Sequence, residues 1–465
     1  MTSQRALRRV AGSFRDPAGG VFESGDLIYR SVSAAGSSNY EAAVTAGVLD
    51  GLVSDGMLVP YERIAPSSVE ADAGMVHLLQ HPRLEVISHP YEWSFSLLKD
   101  AAIFQLELLI RLLDQGFTLT DASAYNIQYD GHRPVFLDHL SIRPYREGEF
   151  WLAHRQFCEQ FLNPLVLRSA LGVAHNAWYR GTLEGIPVAD LARLLPLKRR
   201  LSWNVLVHIL LQDRFQQSAV SRVDLGQTLR QRQLPKAQFR AMLQQLLRWI
   251  GRMTPAGTRP TTWASYAANN TYSELDGGAK RQFVADFVAS SGARSVIDLG
   301  CNTGDYARIC LDNGVGRVVG FDFDQQALDG AHSRAKAENL NFLPLFLDAR
   351  NPSPDQGWLQ SERMGFAKRF EADAVLALAF EHHLAIAHNV PLDQTLDFIM
   401  STAPQGVVEF VPKDDPTIKT MLALREDIFP DYSEGNFRHL LAARARIVRE
   451  EQISASGRRM FVFQK

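Results

Sequence analysis

The spacing of apolar residues changes character near residues 253–262. From residue 277 onward, short apolar runs alternate strictly with amphipathic stretches. Seven runs read as strands: Ser295–Leu299, Val318–Phe321, Phe342–Phe346, Ala374–Leu378, Val407–Val411, Arg446–Arg449 and Met460–Phe463. Apolar positions three and four apart predict helices over Thr303–Asp312, Gln325–Glu338, Leu392–Ser401 and Thr417–Arg425. This alternation predicts an α/β fold, a mostly parallel, doubly wound sheet with helices on both faces. In such sheets ligands bind beyond the carboxyl ends of the strands, where the strand order reverses.

Upstream the pattern differs. Residues 20–142 mix short strand-like runs with helices. Within about 199–250, "LSWNVLVHILLQDRF" and "QFRAMLQQLLRWIGRM" carry helical spacing. "AAIFQLELLIRLL" (101–113) reads as a buried helix. It is too short to span a bilayer and carries Gln105, Glu107 and Arg111. "MTPAGTRPTT" has the Pro, Gly and Thr of a linker. The organisation expected is an α+β domain over 1–198, a helical connector over 199–260 and an α/β domain over 261–465.

Composition narrows the function. A net charge of −2 on 465 residues leaves no basic footprint for nucleic acid. Cys158, Cys301 and Cys310 form no C-x-x-C pair, so neither a disulfide framework nor a cysteine zinc site is expected. A reducing cytoplasm fits that usage. The N-terminus is basic but lacks the apolar run of a signal peptide.

The candidate chemistry begins at "VIDLGCNTGDYARIC" (296–310). Asp298 ends a buried run, and Gly300 and Gly304 follow it. Backbone-permissive residues there imply a ligand close to the main chain. The dinucleotide fingerprint G-x-G-x-x-G fails, because Asn302 and Asp305 stand where glycines are required. No G-K-[ST] follows, so a Walker loop is excluded as well. The second strand runs into Asp322, close to the roughly 20-residue offset at which an acid takes ribose hydroxyls. The third ends near Asp348, an acceptor for an exocyclic amine. The ligand read from these residues has a ribose and an amine-bearing base, and nothing in the loop asks for phosphates.

With these residues in order, the segment from about 277 to 465 resembles the class I S-adenosylmethionine-dependent methyltransferases, whose first motif is similar to "VIDLGCNTG". The resemblance implies a seven-stranded Rossmann-like sheet and S-adenosyl-L-methionine as cofactor. It places Asp298, Gly300, Asn302 and Gly304 around the methionine part, Asp322 at the ribose and Asp348 at the adenine amine. After the fourth strand, "LALAFEHHLAIAHNVPL" falls where that family faces the transferred methyl. Glu381, His382 and His383 are therefore candidates for a base or for acceptor positioning, although each histidine can equally cap or hydrogen-bond inside a loop. Tyr266 and Tyr272, within "WASYAANNTYSEL" beside Trp263, and Glu409, near Lys413, are candidates for the acceptor pocket. "EFVPKDDPTIKTMLALREDIFPDY" is similar to a nodulation-related subgroup of bacterial methyltransferases. The acceptor stays open: a small metabolite, a saccharide, a lipid-linked intermediate or a protein side chain.

A second resemblance lies upstream. "GFTLTDASAYNIQYDGHRPVFLDHLSI" (116–142) holds Asp121, Asn126 and Asp138 around a hairpin expected to turn at Asp130-Gly131. It resembles the core of protein-kinase-like phosphotransferases. By that resemblance Asp121 takes the acceptor proton, and Asn126 and Asp138 hold magnesium against ATP if the site is intact. The pattern departs from the family. Leu119-Thr120 precede Asp121, His139-Leu140 follow Asp138, and Arg30 is the nearest substitute for the usual strand lysine. The alternatives are a degenerate, kinase-like recognition module and a bifunctional kinase–methyltransferase. His77 and His81 are spaced as one helical turn but lack the glutamate of a zinc helix, and "LKRR" (197–200) reads as a solvated helix end.

Overall fold

The computed structural model describes residues 5–66, 69–70, 74–211, 233–257, 274–423 and 425–465. Trp263, Tyr266 and Tyr272 lie outside them. The chain forms two compact units. The first comprises Met1–Tyr91, Leu97–Gly257 and Asp355–Arg363; the second comprises Glu92–Ser96, Thr258–Pro354 and Met364–Lys465.

The first unit contains a five-stranded sheet in the order Arg8–Arg9, Gly19–Ser24, Leu27–Ser33, Met75–Pro82, Glu62–Ile64. His77 and His81 lie on its Met75–Pro82 strand, opposite Val32 and Ile28. The helical spacing of the two histidines is therefore overturned. Four residues of strand separate them by about 13 Å, too far to share a metal. His77 pairs with Glu41, and His81 donates through Nδ1–H to the Pro60 carbonyl at 2.9 Å. The hairpin after Asp121 pairs Ile127–Asp130 with Arg133–Phe136. Its turn is Gly131-His132, one residue later than expected, because Asp130 still pairs with Arg133. The helix Phe95–Asp114 buries most of its surface, even Gln105, and leaves one partly exposed stripe at Lys99, Ile103, Glu107, Arg111 and Asp114. No helix among the described residues is long and apolar enough to cross a membrane.

In the second unit the strands are β1 Ser295–Leu299, β2 Arg317–Asp322, β3 Phe342–Phe346, β4 Ala374–Ala377, β5 Gln405–Phe410, β6 Arg446–Gln452 and β7 Arg459–Gln464. They form one sheet in the order β3-β2-β1-β4-β5-β7-β6, in which β7 runs antiparallel to β5 and β6. The strict alternation of strand and helix thus ends in a hairpin. The helices are α1 Glu274–Ser291, α2 Asp305–Asp312, α3 Gln325–Ala337, α4 Glu381–His388, α5 Leu392–Ser401, α6 Pro416–Leu422 and α7 Glu434–Ala442. Apolar residues of β1, β2, β4 and β5 join those of α1, α2 and α3 in a single core. This is the doubly wound, seven-stranded methyltransferase sheet that the resemblance implies.

Candidate active site

Strand β1 pairs with β2 on one side and β4 on the other, so the order reverses between β1 and β4. The loops leaving these two strands meet there. Gly300, Asn302 and Gly304 have φ of 80°, 47° and 83°, and Ala379, past the end of β4, has φ of 51°. Left-handed backbone at two non-glycine positions beside one cleft is costly, and such strain clusters at functional sites. Gly304 is fixed twice over. Its φ favours glycine, and a Cβ would stand 2.5 Å from the Phe342 ring. That turn starts α2 at Asp305, two residues later than the spacing suggested.

Three carboxylates expected at the site behave differently. Asp322 Oδ2 accepts from the Asn302 N–H at 2.9 Å, and Oδ1 accepts from Asp324 N–H at 2.8 Å. Burial pushes its carboxyl up to about 6, against the pull of those N–H groups. Asp348 is held by the Arg350 guanidinium at 2.8 and 2.9 Å. Burial raises Asp348, but Arg350 outweighs it and leaves the carboxyl below its ordinary value. Asp298 is 1% exposed, and its Oδ2 has no hydrogen-bond partner among the described residues. Burial, then the Asp322 charge, pushes it up to about 7.

Two buried networks lie in the same unit. In the first, Lys280 of α1 reaches Glu409 of β5 at 2.6 Å, with Arg458 at 3.6 Å from the same carboxylate. Arg458 also clasps Asp415 at 2.7 and 2.9 Å. Glu409, a candidate for the acceptor pocket, is fully buried, because its position in β5 turns it inward onto Lys280, while Lys413 pairs with Asp427. In the second, His382 Nδ1 lies 3.0 Å from Glu381 Oε2, and Glu381 Oε1 accepts from Val411 N–H and Tyr432 O–H, both at 2.9 Å. Burial pushes Glu381 up to about 8. Burial, helped by Arg458, pushes His382 down to about 3, and His383, its ring tilted against it with centroids 4.2 Å apart, is also pushed to about 3 by burial. Near neutral pH this is an uncharged carboxyl beside an uncharged imidazole. Both histidines sit on α4 and not in a loop.

The structure therefore brings Asp298, Gly300, Asn302, Gly304 and Asp322 together and sets Glu381, His382 and His383 on the helix that follows β4. Lys280, Asp415, Tyr432 and Arg458 were not anticipated. As isolated polar letters they look like solvated surface, and only the proline after Asp415 marks a helix start, which Asp415 caps by accepting from Thr417 N–H at 2.9 Å.

In the first unit, Asn126 Nδ2 donates to both oxygens of Asp121 at 3.2 and 3.3 Å and to Asp138 Oδ2 at 3.4 Å. Arg30 Nη1 donates to Asp138 Oδ1 at 2.9 Å, and Leu140 N–H to the same oxygen at 3.2 Å. Burial, then Asp138, pushes Asp121 up to about 7. No group of three or more metal-ligating side chains is arranged to hold a metal ion among the described residues.

No family model matches the chain. Solved structures resemble part of it. The methyltransferase domain of bacterial CtHen1 is 19% identical, covering 41% of this chain and 98% of that one, with a TM-score of 0.30. N-methyltransferase NodS from Bradyrhizobium japonicum WM9 is 13% identical over 41% of this chain and 97% of that one, with a TM-score of 0.31. Magnesium protoporphyrin IX methyltransferase from Synechocystis PCC 6803 is 17% identical over 40% and 84%, with a TM-score of 0.28. The fold assignment rests on strand order and not on these likenesses. Nodulation protein NoeA of Rhizobium meliloti (strain 1021) is 51% identical over 460 residues, 98% of this chain and 96% of that protein. An identity of that depth, spanning both units, means that the chain belongs to the family of nodulation protein NoeA.

Proposed function

We propose that the second unit is an S-adenosylmethionine-dependent methyltransferase. One observation carries the reading: Asp298 Oδ2, buried and without a partner among the described residues, beside the Gly300–Gly304 turn where the strand order reverses. A buried carboxylate oxygen left unpaired costs free energy unless a ligand supplies the donor. An amino-acid ammonium is such a donor. Asp322, at the end of the neighbouring strand, spends one acceptor position per oxygen on backbone N–H groups and keeps capacity for a ribose diol. Asp348, oriented by Arg350, takes the base's exocyclic amine. S-adenosylmethionine supplies an electrophilic methyl on a sulfonium centre.

The chain's own contribution is mainly positioning, holding the acceptor in line with that carbon. Where the acceptor loses a proton, only the ionised fraction of Glu381 can receive it, a fraction that grows as pH rises toward about 8. Both histidines are held neutral by burial and are weak bases. Tyr432 and the Val411 N–H fix the carboxyl's orientation. The acceptor is a small molecule, a saccharide or a protein side chain, and kinship with NoeA supports a product used in nodulation. For the first unit we favour a recognition role over phosphotransfer, because Leu119-Thr120 and His139-Leu140 depart from the phosphotransferase pattern and the Arg30 guanidinium holds Asp138, the acid that would bring magnesium. The test is incubation of cell extract with isotope-labelled S-adenosylmethionine and the full chain. Labelled product from the wild type, absent with Asp322→Ala, supports the reading; no transfer to any acceptor overturns it.

A further inference from the structure

The turn between the helices Val188–Leu194 and Trp203–Val205 presents an unusual surface. Leu201 is 86% exposed, Leu197 78%, Trp203 64% and Leu194 52%. Leu197 opens the short helix Leu197–Arg200 and Leu201 caps its C-terminal end in helical conformation, one turn further on, so the two lie along one side of the turn. Lys198 and Arg199 stand beside them, and no acidic residue occurs from Leu191 through Gln212. The segment is anchored from beneath by the buried Leu191, Leu195 and Val205. Arg200 fastens it, donating through Nε to the Leu195 carbonyl at 2.8 Å and through Nη2 to the Arg193 carbonyl at 3.1 Å. The leucines and the tryptophan are thus held outward.

We propose that this turn is a peripheral docking site for an anionic phospholipid surface. Apolar side chains this exposed mark an interaction site when they cluster. Leucines suit the acyl boundary and tryptophan the headgroup level, while lysine and arginine meet anionic headgroups. A polyanion such as nucleic acid explains the cations but gives the leucines no role. A solvated helix end, the reading taken from the sequence, explains the cations only. The proposal is independent of the methyl-transfer reading and concerns where the enzyme works.

Flotation of the full chain with vesicles tests it. Binding is expected to vesicles of equal parts phosphatidylglycerol and phosphatidylcholine and to be at least tenfold weaker to pure phosphatidylcholine, and it should weaken as salt is raised. Lys198→Gln and Arg199→Gln should each lower binding by about fivefold. Leu197→Ser with Leu201→Ser should abolish it at unchanged melting temperature, since both side chains are already in water. Failure of the wild type to bind anionic vesicles overturns the proposal. So does binding that the double leucine variant retains in full, which would make the patch a polyanion site.

Discussion

The protein treats two sets of acids in opposite ways. In the first unit, Asp121 and Asp138 are matched from within, by the Asn126 amide and the Arg30 guanidinium. In the second, Asp298 keeps one carboxylate oxygen with no donor among the described residues. Asp121 and Asp138 are half-buried and Asp298 is buried, so desolvation weighs on all three, and the difference lies in who supplies the compensating donor. Asp322 and Asp348 also have donors from their own chain, so among these acids only Asp298 Oδ2 is left without one among the described residues. The Lys280–Glu409–Arg458–Asp415 network belongs with the first kind, although it lies within the second unit.

The contrast can be broken by experiment. The largest effect is expected where an internal answer is removed. Lys280→Met leaves Glu409 buried without its nearest cation, and unfolding by urea should show a loss of about 3–5 kcal/mol. A loss near zero would mean that the pair is not structural. Next, Asp322→Ala should weaken S-adenosylmethionine binding by about 2 kcal/mol, because two hydrogen bonds to a charged acceptor disappear together. Unchanged affinity would place the ribose elsewhere.

A smaller effect concerns pH. Glu381, pushed up to about 8, and Asp298, pushed up to about 7, hold protons in the folded state that the unfolded chain has released. Such acids stabilise the fold at low pH and lose that contribution as pH rises through the raised values. His382, pushed down to about 3 from 6.5, works in the other direction, but only below 6.5. Between pH 6.5 and 8 these carboxyls, together with Asp121 at about 7, therefore act alone, and stability should fall by about 2–3 kcal/mol. Glu381→Gln should flatten that fall in thermal melts across the window; a profile unchanged by it would contradict the assignment. The smallest expected effect is none at all. ATP with magnesium should leave the melting temperature where it is, since Arg30 and Asn126 already occupy the acids. A magnesium-dependent rise that Asp138→Asn removes would break the contrast and bring the phosphotransferase reading forward.

Much of the second unit was legible in the sequence because its strands are short apolar runs between turn residues. β1, β3 and α5 fall where the pattern put them. Helix α4 was not, since "EHHLAIAH" is buried on most sides and shows no polar stripe. The histidines of Met75–Pro82 misled for the opposite reason: a spacing of four residues fits a helical turn and one face of a strand equally. Of the candidate site, the glycines and acids were readable because backbone conformation and burial restrict residue type. Lys280, Tyr432 and Arg458 were not, because a polar residue reveals its partner only through tertiary contact.

The central claim is that Asp298 supplies the missing counter-charge for the cofactor's ammonium. Calorimetry of the full chain with S-adenosylmethionine near neutral pH, run in two buffers of different ionisation enthalpy, tests it directly. Pairing with a cation should drive the proton off a carboxyl poised at about 7, so binding should release a fraction of a proton, and Asp298→Asn should both weaken binding and abolish that release. Absence of binding, or binding with the same proton count in the variant, would contradict the account.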